Sequence, residues 1–329
     1  MSDLVEKCAV CLALLDEEDM FCGNCGREAP QRKERTDSVH TQTSTHNFEC
    51  RGCGASMSYD ASAQTLRCPF CGSTKLEEQR DVKVLAPDWI VPFEVSHEQA
   101  VGTMRKFLGN GFWRPSDLAE KAVIENMTGV YVPYWVFSAR TRTYWCADTN
   151  QTPRSARSDW YPISGDHQGA YSGVLIGASS TLAPGETTVL RPFDLSRAKQ
   201  LSEVDTENVT VEQFRVQRKY ARPLAREAFE EMERAACNQY VPGRSRNVHV
   251  NVRLEGLSSS RVLLPIWIMA YRYQDRVYRF LVNGQTGRST GQAPVSYAKL
   301  GKILGIGLAI VIAVFVTMGV CGGLASMMR

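Results

Sequence analysis

Eight of the chain's eleven cysteines fall into four Cys-x-x-Cys pairs, and this spacing constrains the fold more than any other feature. Cys8 and Cys11 are followed, after ten intervening residues, by Cys22, Cys25 and a glycine. Cys50, Cys53 and a glycine are followed fourteen residues later by Cys68, Cys71 and a glycine. A Cys-x-x-Cys knuckle curls the backbone so that both sulfurs face one point, and the glycine relieves the crowded turn. Two knuckles supply four thiolates, which satisfy tetrahedral zinc at about 2.3 Å and leave no position for a reactive water. The spacing predicts two structural Zn²⁺ ions, one held by Cys8, Cys11, Cys22 and Cys25, the other by Cys50, Cys53, Cys68 and Cys71. Iron–sulfur clusters more often bunch three cysteines together. A redox dithiol needs one pair in a βαβ setting that neither region offers. MSDLVEKCAV has none of the basic start or apolar run of an export signal. The thiols are therefore expected to stay reduced and bind metal rather than form disulfides. Cys146, Cys237 and Cys321 read as small apolar residues.

Zinc ribbons often meet nucleic acid, so local charge matters. From Met1 to Ala29 seven acids face Lys7 and Arg27, a balance of about −5, and a four-thiolate zinc centre adds about −2. The formal +3 of the whole chain would fall to about −1 with two such centres. Phosphate binding draws on clustered Lys and Arg, which these ribbons lack, so protein contact is the favoured role. Residues 31–46 are polar and read as a linker; their Arg32, Lys33 and Arg35 are interrupted by Glu34. The cysteine sets are complete without His40 and His46.

At the other end, Ile303 to Leu324 contains no charged residue. Twenty-two residues would span about 33 Å as a helix, against a hydrocarbon core of about 30 Å. Lys299 and Lys302 precede the stretch and Arg329 follows it, which predicts a single-pass inner-membrane anchor over 298–329 with the N-terminal domains cytoplasmic. Small residues recur every four positions from Gly301 to Ala325, a stripe suited to homo- or hetero-association of membrane helices.

Between ribbons and tail, residues 77–297 read as an α+β body with an antiparallel sheet. Ser96-x-x-Gln99 is a capping box opening a helix, and a second helix is expected at Pro115 or Ser116. GVYVPYWVFSARTRTYW reads as a strand pair. A long helix is expected from Pro223, in its first turn, to Asn238. NVHVNVRLEG, RVLLPIWIMAYRYQ and RVYRFLVNGQTG are three strand candidates, with tight turns at Gln274-Asp275 and Asn283-Gly284. Val132-Pro133-Tyr134-Trp135 is echoed by Leu264-Pro265-Ile266-Trp267, each following a helix, which suggests two similar halves. Both tryptophans read as core.

No phosphate-binding Gly-x4-Gly-Lys-Ser/Thr loop, His-Glu-x-x-His or Gly-x-Ser-x-Gly motif is present, so no catalytic or cofactor-binding residue is assigned. Ser164-Gly165-Asp166-His167 could supply a base but reads as a hydrated polar loop. The basic run from Arg215 to Arg226 reads as a solvated helix face with Arg226–Glu230 and Glu230–Arg234 pairs.

CPFCG, WIVPFEVSHEQA, GVYVPYWVF, LLPIWIMAYRY and YRFLVNGQTG, with the apolar tail, resemble bacterial membrane proteins that carry N-terminal ribbons of the transcription factor IIB type. That family is often labelled primosomal or helicase-like, although the motor motifs are missing. The resemblance implies docking partners such as phage-shock protein A and flotillin-like (SPFH) proteins in envelope-stress systems. The second, acidic ribbon departs from the family's usual single one. The reading that results is a tail-anchored, non-enzymatic adaptor or scaffold that docks proteins through zinc ribbons. Its rival is a membrane-tethered nucleic-acid-binding regulator.

Overall fold

The computed structural model describes residues 6–10, 14–15, 27, 41–44, 47–58, 67–79, 82–109, 111, 114–115, 117–118, 123–124, 127–155, 158–204, 209–274, 276–296, 299–302, 304–308, 310 and 312. β1 (Glu6–Lys7) and β2 (Leu14–Leu15) pair near the N-terminus, and β3 (Thr41–Ser44), inside the stretch read as a linker, pairs with a later strand. β4 (Asn47–Cys50), β5 (Ser56–Ser58) and β6 (Leu76–Gln79) make the second ribbon. β7 (Val82–Leu85), the partner of β3, leads to β8 (Trp89–Ile90), α1 (His97–Gly109) and β9 (Val123–Ile124). The body continues with β10 (Thr128–Thr149), β11 (Tyr161–Gly177), α2 (Pro184–Val189), β12 (Thr210–Glu212) and α3 (Arg218–Asn238). β13 (Ser245–Tyr273), β14 (Arg276–Asn283) and β15 (Ser289–Gly291) complete it.

The expected α+β body with an antiparallel sheet is replaced by one dominant mixed sheet of eleven strands. GVYVPYWVFSARTRTYW is not a strand pair but part of a single 22-residue strand, β10. Two of the three later strand candidates likewise fuse into the 29-residue β13. The two long strands lie antiparallel, with Val132 opposite Leu264 and Thr149 opposite Ser245. Gly256, at φ 60°, lets β13 bend without breaking, because a glycine takes that left-handed conformation without a Cβ clash. β8 joins β13, and β12 joins β10, both in parallel, which makes the sheet mixed.

Alternation along β10 and β13 sorts their side chains onto two faces. Val132, Tyr134, Val136, Leu264, Ile266 and Ile268 point to a core shared with the ribbon. On the other face, α1 packs Ala100, Met104 and Leu108 against Met269, Tyr271 and Phe280, while α3 packs Ala221, Ala225 and Phe229 against Trp135, Phe137 and Ile176.

Local signals set several element ends. Ser96 and Gln99 cap α1 reciprocally: the Ser96 N–H donates to Gln99 Oε1 at 2.9 Å, and the Gln99 N–H to Ser96 Oγ at 3.3 Å. α3 starts at Arg218, so Pro223 lies inside the helix rather than opening it. Tyr273 pairs with Arg276, closing the hairpin at Gln274, whose φ is 48°. Asn283 and Gly284 open the turn of the β14–β15 hairpin: the Asn283 N–H donates to the Arg288 carbonyl at 2.7 Å, and the Gly287 N–H returns to the Asn283 carbonyl at 2.9 Å. The helix expected at Pro115 or Ser116 falls largely outside the described residues.

The membrane anchor is overturned. Among the described residues no helix is long and apolar enough to cross a membrane. A span needs about 20 consecutive apolar residues, and the described C-terminal helical residues include Lys299 and Lys302. Lys299 Nζ donates to the Arg114 carbonyl at 2.7 Å, tying the start of this segment to the body. The single-pass inner-membrane location, which rested on that anchor, falls with it. Residues 313–329, including the end of the small-residue stripe and Cys321, lie outside the described residues.

Candidate metal centre

Cys50 closes β4, Cys53 follows in the turn before β5, and Cys68 and Cys71 lie in the turn that precedes β6. Both turns use the same device. The Gly54 N–H donates to the Cys50 carbonyl and the Gly72 N–H to the Cys68 carbonyl, each at 2.8 Å. Gly54 and Gly72 sit at φ 77° and 71°, conformations that a side chain would strain. The glycine after each knuckle is therefore required by the backbone.

The four sulfurs converge so that all lie within 4.8 Å of one another. Cys50 Sγ is 3.5 Å from Cys71 Sγ, and Cys53 Sγ is 3.5 Å from Cys68 Sγ. A disulfide needs about 2.05 Å, and all four cysteines are free. Tetrahedral thiolates at about 2.3 Å from one ion stand about 3.8 Å apart. The set fits a metal ion.

Electrostatics point the same way. Hydrogen bonding from Cys68, opposed by burial, pulls the Cys53 thiol down to about 5. Hydrogen bonding to Cys53, with burial, pushes Cys68 well above the usual thiol range. Burial raises Cys71 to about 12. The protein alone stabilises one thiolate at the expense of its neighbours, and a dication is what would let all four ionise together.

The ribbon is built into the sheet. β5 pairs with β12, with Met57 opposite Glu212, and β12 pairs with β10, so the ribbon strands extend the main sheet out to β6. Gln213 Nε2 donates to Asn47 Oδ1 at 2.6 Å and Arg215 Nε to Ser56 Oγ at 2.9 Å. Cys50, Met57, Cys68 and Phe70 are buried in the same core as Val130, Leu264 and Ile268. Nothing in the Cys-x-x-Cys spacing signals this shared core. The residues Arg51, Gly52, Cys53 and Gly54 stay exposed, so one knuckle faces solvent while the other is covered.

Other predicted positions fare differently. Cys8 is buried in the turn after β1, while Cys11, Cys22 and Cys25 lie outside the described residues, as do His40 and His46. His167 is not in a loop but in β11, opposite Thr143 of β10. Cys237 is buried, as read from the sequence, whereas Cys146 is exposed because it takes the outward phase of β10. Arg226 pairs with Glu230 at 2.9 Å, and Arg234 pairs with Glu231 instead of Glu230.

No protein-family model and no solved structure matches the chain. The chain is similar to uncharacterized protein YdjG of Bacillus subtilis (strain 168), with 23% identity over 227 residues that cover 66% of this chain and 66% of that protein.

Proposed function

We propose that this chain is a protein-docking adaptor whose second ribbon holds a structural zinc ion and presents an exposed knuckle on a rigid sheet. The observation that carries the reading is the asymmetry of the ribbon: Cys50, Cys68 and Phe70 are buried in the sheet's own core while Arg51 to Gly54 face solvent. Four protein thiolates fill a tetrahedral zinc, so the ion shapes a surface rather than binding a substrate. Among the described residues β6 ends the sheet, and its edge is one to which an extended segment of a partner could add a strand. That edge carries Glu77 and Glu78, and Glu77 pairs with Arg51 across the knuckle. This charge, with the two negative charges of a zinc tetrathiolate, disfavours a phosphate backbone. A first ribbon built on Cys8, Cys11, Cys22 and Cys25 would add a second zinc and a second docking surface.

The family resemblance points to phage-shock protein A and flotillin-like proteins as partners, in envelope stress. The test is titration of the full-length chain, wild type and Cys68→Ser, against purified proteins of these two classes, with duplex DNA at low salt as a third arm. Saturable binding of one protein class that Cys68→Ser weakens at least tenfold supports the adaptor. Binding to neither protein class, or to DNA alone, overturns it.

A further inference from the structure

The face of β10 and β11 under α3 holds a second convergence of metal-binding side chains, which the ribbon chemistry does not use. α3 buries Ala221, Ala225, Phe229, Glu233 and Cys237, one residue per turn. The stripe is apolar through Phe229, and beyond it a carboxylate and a thiol stand one turn apart. That spacing directs both at the same patch of sheet. Beneath them, Thr141 pairs with Gly169, Thr143 with His167, and Trp145 with Gly165.

The contacts are specific. His167 Nδ1 lies 2.8 Å from Glu233 Oε2, and Thr141 Oγ1 donates to Glu233 Oε1 at 2.5 Å. The Gly169 N–H donates to Thr141 Oγ1 at 3.1 Å, holding that hydroxyl in place. Gly169 itself makes room: a Cβ there would overlap Glu233 Oε1 and stand 2.7 Å from Thr141 Oγ1. Glu233 is fully buried and the His167 side chain 17% exposed. One ring nitrogen, one carboxylate oxygen and the Cys237 sulfur all lie within 4.8 Å of one another.

One further observation marks the patch as incompletely satisfied. Trp145 Nε1, on the same strand face, is buried with no hydrogen-bond partner among the described residues. Burial, which alone would raise Glu233, is outweighed by hydrogen bonds with Thr141, His167, Tyr171 and Thr143, which hold its carboxyl below the usual range. A dication would ionise the Cys237 thiol, which burial, with Glu233 nearby, otherwise pushes up to about 11.

We propose that His167, Glu233 and Cys237 form a metal site for one zinc-class transition-metal ion, clamped between α3 and the β10–β11 hairpin. A nitrogen, oxygen and sulfur donor set suits zinc, cobalt or nickel and not magnesium or calcium, which take six or more oxygens. The fourth position would lie toward the partly exposed edge of His167, where the Tyr240 ring stands 5.7 Å from the imidazole.

The experiment uses the full-length chain purified without chelator. Metal per chain is measured by elemental analysis for wild type, His167→Ala, Cys237→Ala and Cys68→Ser, and the wild-type metal is examined by X-ray absorption at its K-edge. The expected result is one equivalent fewer in each single variant, and two fewer when His167→Ala is combined with Cys68→Ser. The wild-type spectrum should need a nitrogen/oxygen shell beside sulfur at about 2.3 Å, and His167→Ala should remove that shell. Unchanged metal content in folded His167→Ala overturns the site. If the variants fail to fold, a wild-type spectrum fitted by sulfur alone overturns it, and a required nitrogen/oxygen shell supports it.

Discussion

Trp135 and Trp267 do the same job on paired strands: each indole Nε1 donates to a backbone carbonyl 2.8 Å away, Val216 for Trp135 and Val95 for Trp267. Val216 stands just before the N-cap of α3, and Val95 just before the Ser96 cap of α1. The parallel extends to neighbours. Phe214 meets Trp135 with ring centroids 5.6 Å apart, and Phe93 meets Trp267 at 4.9 Å. The Pro133 carbonyl accepts from the Ala178 N–H at 2.9 Å, and the Pro265 carbonyl from the Gly284 N–H at 2.8 Å. Each tryptophan thus fixes where a helix enters over the sheet.

Replacing either tryptophan by phenylalanine keeps most of the buried area but leaves a carbonyl without its donor. Trp135→Phe and Trp267→Phe should each cost about 1–3 kcal/mol in urea unfolding. The two positions are separated by about 20 Å along the sheet, so the double variant should lose the sum. Losses under about 0.5 kcal/mol for both would show that the indole bonds do not anchor the helices.

Asn283 is fully buried and uses its whole amide. Its Nδ2 donates to the Leu190 and Pro192 carbonyls at 2.8 and 3.0 Å, and its Oδ1 accepts from the N–H groups of Gln285 and Thr286. Asn283→Asp exchanges a donor for an acceptor that faces two carbonyls. It should destabilise the protein by roughly 3 kcal/mol or more near pH 7, with a smaller loss at low pH where the acid can donate. Chemical denaturation at both pH values checks this.

Burial raises Glu212 from its usual 4.5 to about 7, against hydrogen bonds from Ser179 and Thr181 that favour the charge. Its second oxygen has no hydrogen-bond partner among the described residues. A raised acid binds more protons folded than unfolded between these values. Its contribution is therefore full below about pH 4.5 and declines as pH rises to about 7. Glu212→Gln should remove that slope, so wild type should lose on the order of 2 to 3 kcal/mol relative to the variant between pH 4.5 and 8. Parallel stability–pH curves for the two proteins would contradict the raised value.

Chelation should loosen the ribbon without unfolding the sheet. Cys50 and Cys68 belong to a core that Val130, Leu264 and Ile268 also build, so metal loss removes the ribbon's constraint but leaves β10 paired with β13. Hydrogen exchange should show the Gly54 and Gly72 amides, bonded to the Cys50 and Cys68 carbonyls, losing protection at least tenfold. The amides of Val132 and Leu264 should change little. Global loss of protection would mean that the metal holds the whole body.

What could be read along the chain is what local chemistry dictates. Cys50, Cys53, Cys68 and Cys71 announce themselves because a knuckle needs only a two-residue spacer and a glycine. Ser96 and Gln99 announce a helix start because a capping box is closed within one turn. The alternation in TRTYW announces a strand for the same reason. The continuity of β10 and β13 was hidden: Pro133 and Pro265 lack an N–H, and a proline ordinarily confines a strand to an edge. Only the mutual pairing of the two strands, with the proline carbonyls serving Ala178 and Gly284, keeps them central. The apolar run after Ile303 suggested a span, yet among the described residues no helix is long and apolar enough to cross a membrane. Neither the insertion of the ribbon into the sheet nor the meeting of His167 with Glu233 and Cys237 could be read from spacing. Sixty-six residues separate His167 from Glu233, and contacts at that range are set by which strand pairs with which and which helix covers them. Sequence by itself determined the ligands that one turn of backbone brings together, while tertiary structure alone decided which distant side chains share a buried site.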